Sequence, residues 1–220
     1  MTAAEGARAT HAAAMDAQYR YQRHLYDLTR KYYLFGRDRL IRELDCKPGD
    51  KVLEIACGTG RNLAKVARQW PGVSLYGLDI SAEMLKSAQA ALGEEARLAL
   101  GDATGFDAAG LLGHARFDRV FISFAVSMIP DWQKAVDHAA ALVAPGGSLS
   151  VVDFGDMDGL WPVAQTALGA WLAKFHVTPR ADLPDVASRV AQRHGLSLET
   201  RRGAFGYYTL IQIERSVHAT

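Results

Sequence analysis

Three small residues at alternate positions, Ala56, Gly58 and Gly60, follow an apolar run that ends near Glu54 in the stretch VLEIACGTGRNLAK. Gly58 and Gly60 have no Cβ, so the backbone there can take unusual dihedrals and approach a ligand closely. In an open α/β sheet a turn of this kind, at the carboxyl end of a strand, is where a nucleotide-like ligand lies. Its plainer use is a tight strand-to-helix connection. Two carboxylates stand in register with it: Asp79 ends the strand-like LYGLDIS, and Asp102 lies just past the next one in LALGDAT. Either aspartate alone suits a turn or a helix cap. Taken with the glycine turn, they point to a ligand, and Asp79 could accept both hydroxyls of a ribose.

Spacing separates two ligands that such a turn could hold. A dinucleotide fingerprint needs small residues at 56, 58 and 61, but position 61 is Arg and the third small residue comes early, at Gly60. The pattern Glu54-x-Ala56-x-Gly58-x-Gly60 instead resembles the first motif of class I S-adenosylmethionine-dependent methyltransferases, with Ala56 in place of a commoner Gly. That resemblance implies S-adenosylmethionine as cofactor, Asp79 on its ribose, and Asp102, with Ala103 beside it, on the adenine amino group. It also implies that Ile80 and Met84 flank the adenine and that Ser123 and Phe124 lie near the methionine end.

Methyl transfer from a sulfonium is an in-line displacement, so proximity and alignment matter most. The seven His residues form no HxH or HExxH arrangement, and Gly-x-Ser-x-Gly is absent, so no metal site or common hydrolase site is expected. The aromatic residues are more informative. Of eight tyrosines, Tyr19, Tyr21, Tyr26, Tyr32 and Tyr33 precede the glycine turn, while Tyr207 and Tyr208 sit near the end. Tyr faces can surround a methylated ammonium by cation–π attraction, worth about 0.5–2 kcal/mol per good contact. The competing use is ordinary packing.

Between Gln18 and Arg42 the chain also carries seven Arg or Lys residues (20, 23, 30, 31, 37, 39 and 42) against Asp27 and Asp38, although the whole chain has a net charge of only +1. A basic helix bearing apolar and aromatic residues suits an anionic membrane surface; the alternative is a solvated face with core-facing aromatics.

Here the resemblance narrows. YRYQRHLYDLTRKYYLFGRDRLI followed by VLEIACGTGRNL is similar to bacterial diacylglyceryl-homoserine N-methyltransferases, over roughly residues 18–215. Such proteins trimethylate the homoserine amine of a lipid with three S-adenosylmethionine molecules. The product, diacylglyceryl-trimethylhomoserine, is a betaine lipid that replaces phospholipids when phosphate is scarce. The resemblance implies a lipid substrate with an amino-acid headgroup, and a cytoplasmic protein held peripherally on the inner membrane. The acceptor ammonium must lose a proton before it attacks. Tyr phenols, Asp153 and His176 are candidates for positioning or proton removal, with Tyr26, Tyr32 or Tyr33 on the acceptor and Arg30 on a carboxylate of acceptor or cofactor. Rival readings are a phospholipid or small-molecule amine N-methyltransferase, a quinone C-methyltransferase, and a non-catalytic S-adenosylmethionine-binding module.

The elements that must position these residues follow from pattern and composition. A chain of 220 residues with 49% hydrophobic and 22% charged residues suits one globular domain with a substantial core. Its near-neutral charge argues against a dedicated nucleic-acid binder. Cys46 and Cys57 lack CxxC spacing and suit a reducing compartment. No signal-like start or membrane-spanning run is expected. Residues 1–14, Ala-rich and aperiodic, are expected to form a flexible tail, with a single methyltransferase domain over 15–220. Within it, 15–46 would be a helical arm over the active site, broken by Lys47-Pro48-Gly49-Asp50. Strand-like runs at 51–56, 74–79, 96–100, 117–124 and 147–154 alternate with helical patterns at 61–70, 82–92, 131–143 and 160–174. That alternation predicts a Rossmann-like α/β fold: a mostly parallel sheet with helices on both faces. LSLETRRGAFG and YYTLIQIERS predict a closing antiparallel hairpin at the sheet edge.

Overall fold

A computed structural model describes residues 34–175 and 177–217. The expected tail over 1–14 and most of the expected arm, with Tyr26, Arg30, Tyr32 and Tyr33, lie outside the described residues, as does His176. The described part opens with a short helix α1 (Arg37–Arg42). It continues through β1 (Lys51–Ile55), α2 (Arg61–Gln69), β2 (Ser74–Asp79), α3 (Ala82–Leu92), β3 (Ala96–Leu100) and α4 (Ala108–Leu112). Then come β4 (Phe117–Ser123), α5 (Trp132–Ala141), β5 (Val143–Phe154), α6 (Pro162–Ala173), α7 (Leu183–His194), β6 (Ser197–Arg202) and β7 (Tyr208–Glu214).

The strands form one seven-stranded sheet in the order β3-β2-β1-β4-β5-β7-β6. The first five run parallel, while β7 pairs antiparallel with both β5 and β6. Each central strand is buried on both faces and therefore reads as a near-continuous apolar run. Along β1, Val52 faces the layer of α1, α2, α3 and α6, whereas Leu53 and Ile55 face the layer of α4, α5 and α7. Strand order reverses between β1 and β4, which makes the carboxyl ends of these two strands the crevice where a ligand can enter.

The strand pattern predicts this fold, with three local differences. Helices α4 and α7 go unpredicted, although in α7 Leu183, Val186, Ala187, Val190 and Ala191 recur at helical spacing and are all buried. Strand β5 begins at Val143, before the expected 147, because Val143 pairs with Phe117 ahead of a register shift in β4. The expected hairpin turns through residues 203–207, inside the first of the two quoted stretches, and β7 lies inside, leaving β6 as the edge.

Candidate functional site

The glycine turn leaves β1 through three left-handed residues at alternate positions: Ala56 (φ 58°), Gly58 (φ 54°) and Gly60 (φ 75°). The two glycines serve different ends. A Cβ on Gly60 would come within 2.7 Å of Leu92 Cδ1 and 3.1 Å of Ala88 Cβ, so this glycine lets α2 sit against α3. A Cβ on Gly58 would meet nothing within 4 Å, so its bare backbone faces open space at the sheet's switch point. Ala56 takes the same left-handed geometry with a Cβ, at a cost of about 1–2 kcal/mol.

Asp79 ties the turn to the second strand. Its Oδ2 accepts the Gly58 N–H at 2.7 Å and its Oδ1 accepts the Ser81 N–H at 2.9 Å. The Cys57 N–H also donates to the Leu78 carbonyl, at 2.9 Å. These bonds to a carboxylate are of the stronger, charge-assisted kind. Each carboxylate oxygen can accept more than one donor, so the geometry leaves Asp79 able to take ribose hydroxyls. Ser81 then caps α3, its hydroxyl accepting the Met84 N–H at 3.3 Å. Met84 is buried beside Met128 and Phe175, and Ile80 is half-buried.

Past β3, Asp102 forms a local turn: its Oδ1 accepts both the N–H and the hydroxyl of Thr104, at 2.9 and 2.8 Å. Ala103 beside it is buried in the core. At the end of β4, the Phe124 side chain is buried, edge-on to Phe154 at 4.9 Å, and its backbone is left-handed (φ 52°). Phe124 therefore offers a ligand its backbone more than its ring. The neighbouring Ser123 hydroxyl is buried with no hydrogen-bond partner among the described residues.

Glu54 is buried. Its Oε1 accepts from Asn62 Nδ2 at 2.7 Å, while Oε2 has no partner among the described residues. Burial pushes its pKa up to about 8, and the charge of Asp79 adds to the rise; the Asn62 bond and Arg37 pull the other way. Glu54 is thus largely protonated at neutral pH. The nearby Cys57 thiol is also raised well above its usual range by burial.

At the end of β5, both oxygens of Asp153 accept backbone N–H groups, from Ser127 at 3.0 Å and from Phe154 at 2.8 Å. This carboxylate braces the ends of β4 and β5. Tyr207 packs edge-on between Phe35 (5.4 Å) and Phe154 (5.9 Å), and Tyr208 covers Gly36 and Gly203. Among the described residues no group of three or more His, Cys, Asp or Glu could hold a metal ion. Two contributors escape the sequence reading, Asn62 and Ser81. Ser81 carries a legible signal, a hydroxyl just ahead of a helical pattern. Asn62 carries none until the burial of Glu54 is known.

The turn, Asp79, Asp102 and the end of β4 are thus brought to one rim of the sheet. Residues 52–147 match the family model described as a methyltransferase domain. A demethylmenaquinone methyltransferase from Corynebacterium glutamicum is 30% identical over 176 residues, covering 76% of this chain and 66% of that protein. One from Mycobacterium marinum is 35% identical over 136 residues, covering 59% of this chain and 54% of that protein. The chain therefore spans between about half and two thirds of the length of these relatives. A methyltransferase in complex with the Haloferax volcanii Trm112 methyltransferase activator shares the fold, with a TM-score of 0.68 at 15% identity over 89% of this chain and 95% of its own. So does the Haemonchus contortus phosphoethanolamine N-methyltransferase 2 bound to S-adenosylhomocysteine, with a TM-score of 0.65 at 15% identity over 82% of this chain and 52% of its own. Residues 52–147 match a methyltransferase domain, and the chain shares the Rossmann-like fold of these methyltransferases.

Proposed function

We propose that the protein transfers methyl groups from S-adenosylmethionine to the homoserine amine of diacylglyceryl-homoserine, forming the betaine lipid diacylglyceryl-trimethylhomoserine. The observation that carries this reading is the stretch YRYQRHLYDLTRKYYLFGRDRLI, whose tyrosines and basic residues run directly into the described Phe35 and α1. In the mechanism, the glycine turn and Asp79 fix the adenosine so that the sulfonium methyl points toward the acceptor. Tyr26, Tyr32 or Tyr33 face the amine, and Arg30 meets a carboxylate of acceptor or cofactor. The acceptor ammonium loses one proton before the first attack, and each of the first two transfers releases one more, to water or a side chain. The third acts on a tertiary amine and leaves a fixed cation, which aromatic faces stabilise more than they do a neutral amine. The protein works at the inner membrane, on whose anionic surface the basic stretch sits.

A second reading is favoured by the relatives named demethylmenaquinone methyltransferase, which suggest demethylmenaquinone as the acceptor. Mass spectrometry of lipids from cells expressing the protein, with and without the homoserine-bearing lipid precursor, separates the two. Appearance of the mono-, di- and trimethylated lipid only with the precursor supports the first reading. A quinone gaining one methyl group, with no change in the amino lipid, overturns it.

A further inference from the structure

The stretch that follows β4 carries polar atoms to which the fold gives no partner. Ser123 Oγ at the end of the strand and Ser127 Oγ four residues on are both buried, without a hydrogen bond among the described residues. A third such atom, Arg180 Nε, belongs to the chain between α6 and α7. Hydrogen bonds lay that chain along the same stretch. The Thr178 N–H donates to the Ser127 carbonyl at 3.0 Å, and Arg180 Nη2 donates to the Ile129 carbonyl at 3.3 Å. The Ser127 N–H is in turn bonded to Asp153 at the end of β5. Arg180 is therefore brought to the carboxyl ends of β4 and β5, on the same rim as the glycine turn.

Arg180 is held in place without being neutralised. Its Cζ lies 5.9 Å from the ring centroid of Trp132, the first residue of α5, and its own carbonyl accepts the Leu183 N–H, at 3.0 Å, where α7 begins. Against the five N–H donors of a guanidinium, the described residues supply one carbonyl, at a long distance, and no carboxylate. The other charged groups here are differently placed. Asp79, Asp102 and Asp153 accept backbone N–H groups, and Arg202 beside the hairpin turn pairs with Asp156 and Asp158. A half-buried guanidinium with a buried, unpartnered nitrogen is costly unless another group completes it. Stacking on the indole uses the face of the guanidinium and leaves its edge, where two parallel N–H bonds match a carboxylate.

We propose that Arg180 binds the carboxylate of the acceptor's amino-acid headgroup. This rests on the lipid-acceptor reading above and names the residue that recognises the headgroup, which leaves Arg30 the carboxylate of the cofactor. The test uses the full chain and lipids dispersed in detergent micelles. Two acceptors are compared: diacylglyceryl-homoserine and its decarboxylated analogue, an aminopropyl ether of diacylglycerol that keeps the amine alone. With wild type, loss of the carboxylate should raise KM by about tenfold to a hundredfold, as for loss of a charge-assisted pair. Arg180→Met keeps an apolar stem on Trp132 and should raise KM for the homoserine lipid by the same factor, with kcat within about threefold of wild type. It should treat the decarboxylated lipid as wild type does. Arg180→Lys keeps the charge without the planar fork and should recover part of the loss. S-adenosylhomocysteine affinity should be equal in all three proteins. Equal KM values for the two lipids with wild type overturn the proposal without any variant. So does a loss of the same size on both lipids in Arg180→Met, which would mark a packing role. A matching fall in S-adenosylhomocysteine affinity overturns it too, because the carboxylate would then be the cofactor's. Failure of the lipid-acceptor reading looks different: wild type methylates neither lipid, and both proposals fall together.

Discussion

Gly58 and Gly60 have the same backbone hand and opposite surroundings, so replacing each with Ala separates binding from folding. Gly60→Ala forces a Cβ against Leu92 and Ala88, and an overpacked contact of that kind costs about 1–3 kcal/mol in addition to left-handed strain. Gly58→Ala carries the strain of about 1 kcal/mol alone, because its Cβ enters open space. The proposed function puts the cofactor in that space, so Gly58→Ala should lower S-adenosylhomocysteine affinity at least tenfold while melting above Gly60→Ala. Calorimetric titration and thermal melts of the two variants check both halves, and equal affinity for wild type and Gly58→Ala would place the ligand elsewhere. At Ala56 the argument reverses. Its φ of 58° already bears the strain, so Ala56→Gly should raise stability by about 1 kcal/mol, or roughly 2–4 °C in Tm for a domain of this size. A lower Tm would show that the Ala56 methyl, packed at the edge of the core, contributes more than its backbone costs.

At the scale of elements, the junction of β1 and α2 holds a protonated carboxyl group, which gives stability a pH dependence of known sign. Glu54 has a folded pKa of about 8, whereas an unfolded glutamate titrates near about 4.3. Between those values the native state holds a proton that the unfolded state has lost. The contribution is therefore complete below about 4.3 and is lost as pH rises through about 8. Glu54→Gln keeps an uncharged group beside Asn62, so its denaturant midpoint should fall less than that of wild type between pH 6 and pH 9. Parallel curves would mean that the carboxyl group titrates as if solvated. None of this is legible in VLEIACGTG, because the shift comes from burial beneath the α2 layer and from the charge of Asp79 on the neighbouring strand. The strand ends, by contrast, are readable from apolar runs closed by Glu54, Asp79 and Ser123. The α7 pattern is equally plain, in Leu183, Val186 and Val190 at helical spacing and in Gly195 as the left-handed cap. The left-handed backbones of Ala56, Phe124 and Phe205 have no signature in residue type, since glycine is the residue that advertises that conformation.

Across the whole molecule, hydrogen bonds within the chain brace the described site. Asp79 holds the turn through Gly58 and holds the start of α3 through Ser81, so little chain remains to be ordered when a cofactor arrives. Binding energy then appears chiefly as added stability of the native state rather than being spent on folding a loop. A ligand that binds only the native state stabilises it by RT ln(1 + [L]/Kd), which is about 2.7 kcal/mol at a hundredfold excess over Kd. For a chain of 220 residues, that raises Tm by about 5–10 °C. S-adenosylhomocysteine at that excess should produce such a shift, and NAD at the same concentration should produce none, because Arg61 stands where the dinucleotide turn needs a small residue. Differential scanning fluorimetry with both ligands reads the contrast directly. The same shift should vanish in Asp79→Ala, which loses two charge-assisted acceptors and the tie between β1 and β2. If Asp79→Ala is stabilised as much as wild type, the ribose does not lie on Asp79, and the register of the whole cofactor along the rim would have to move.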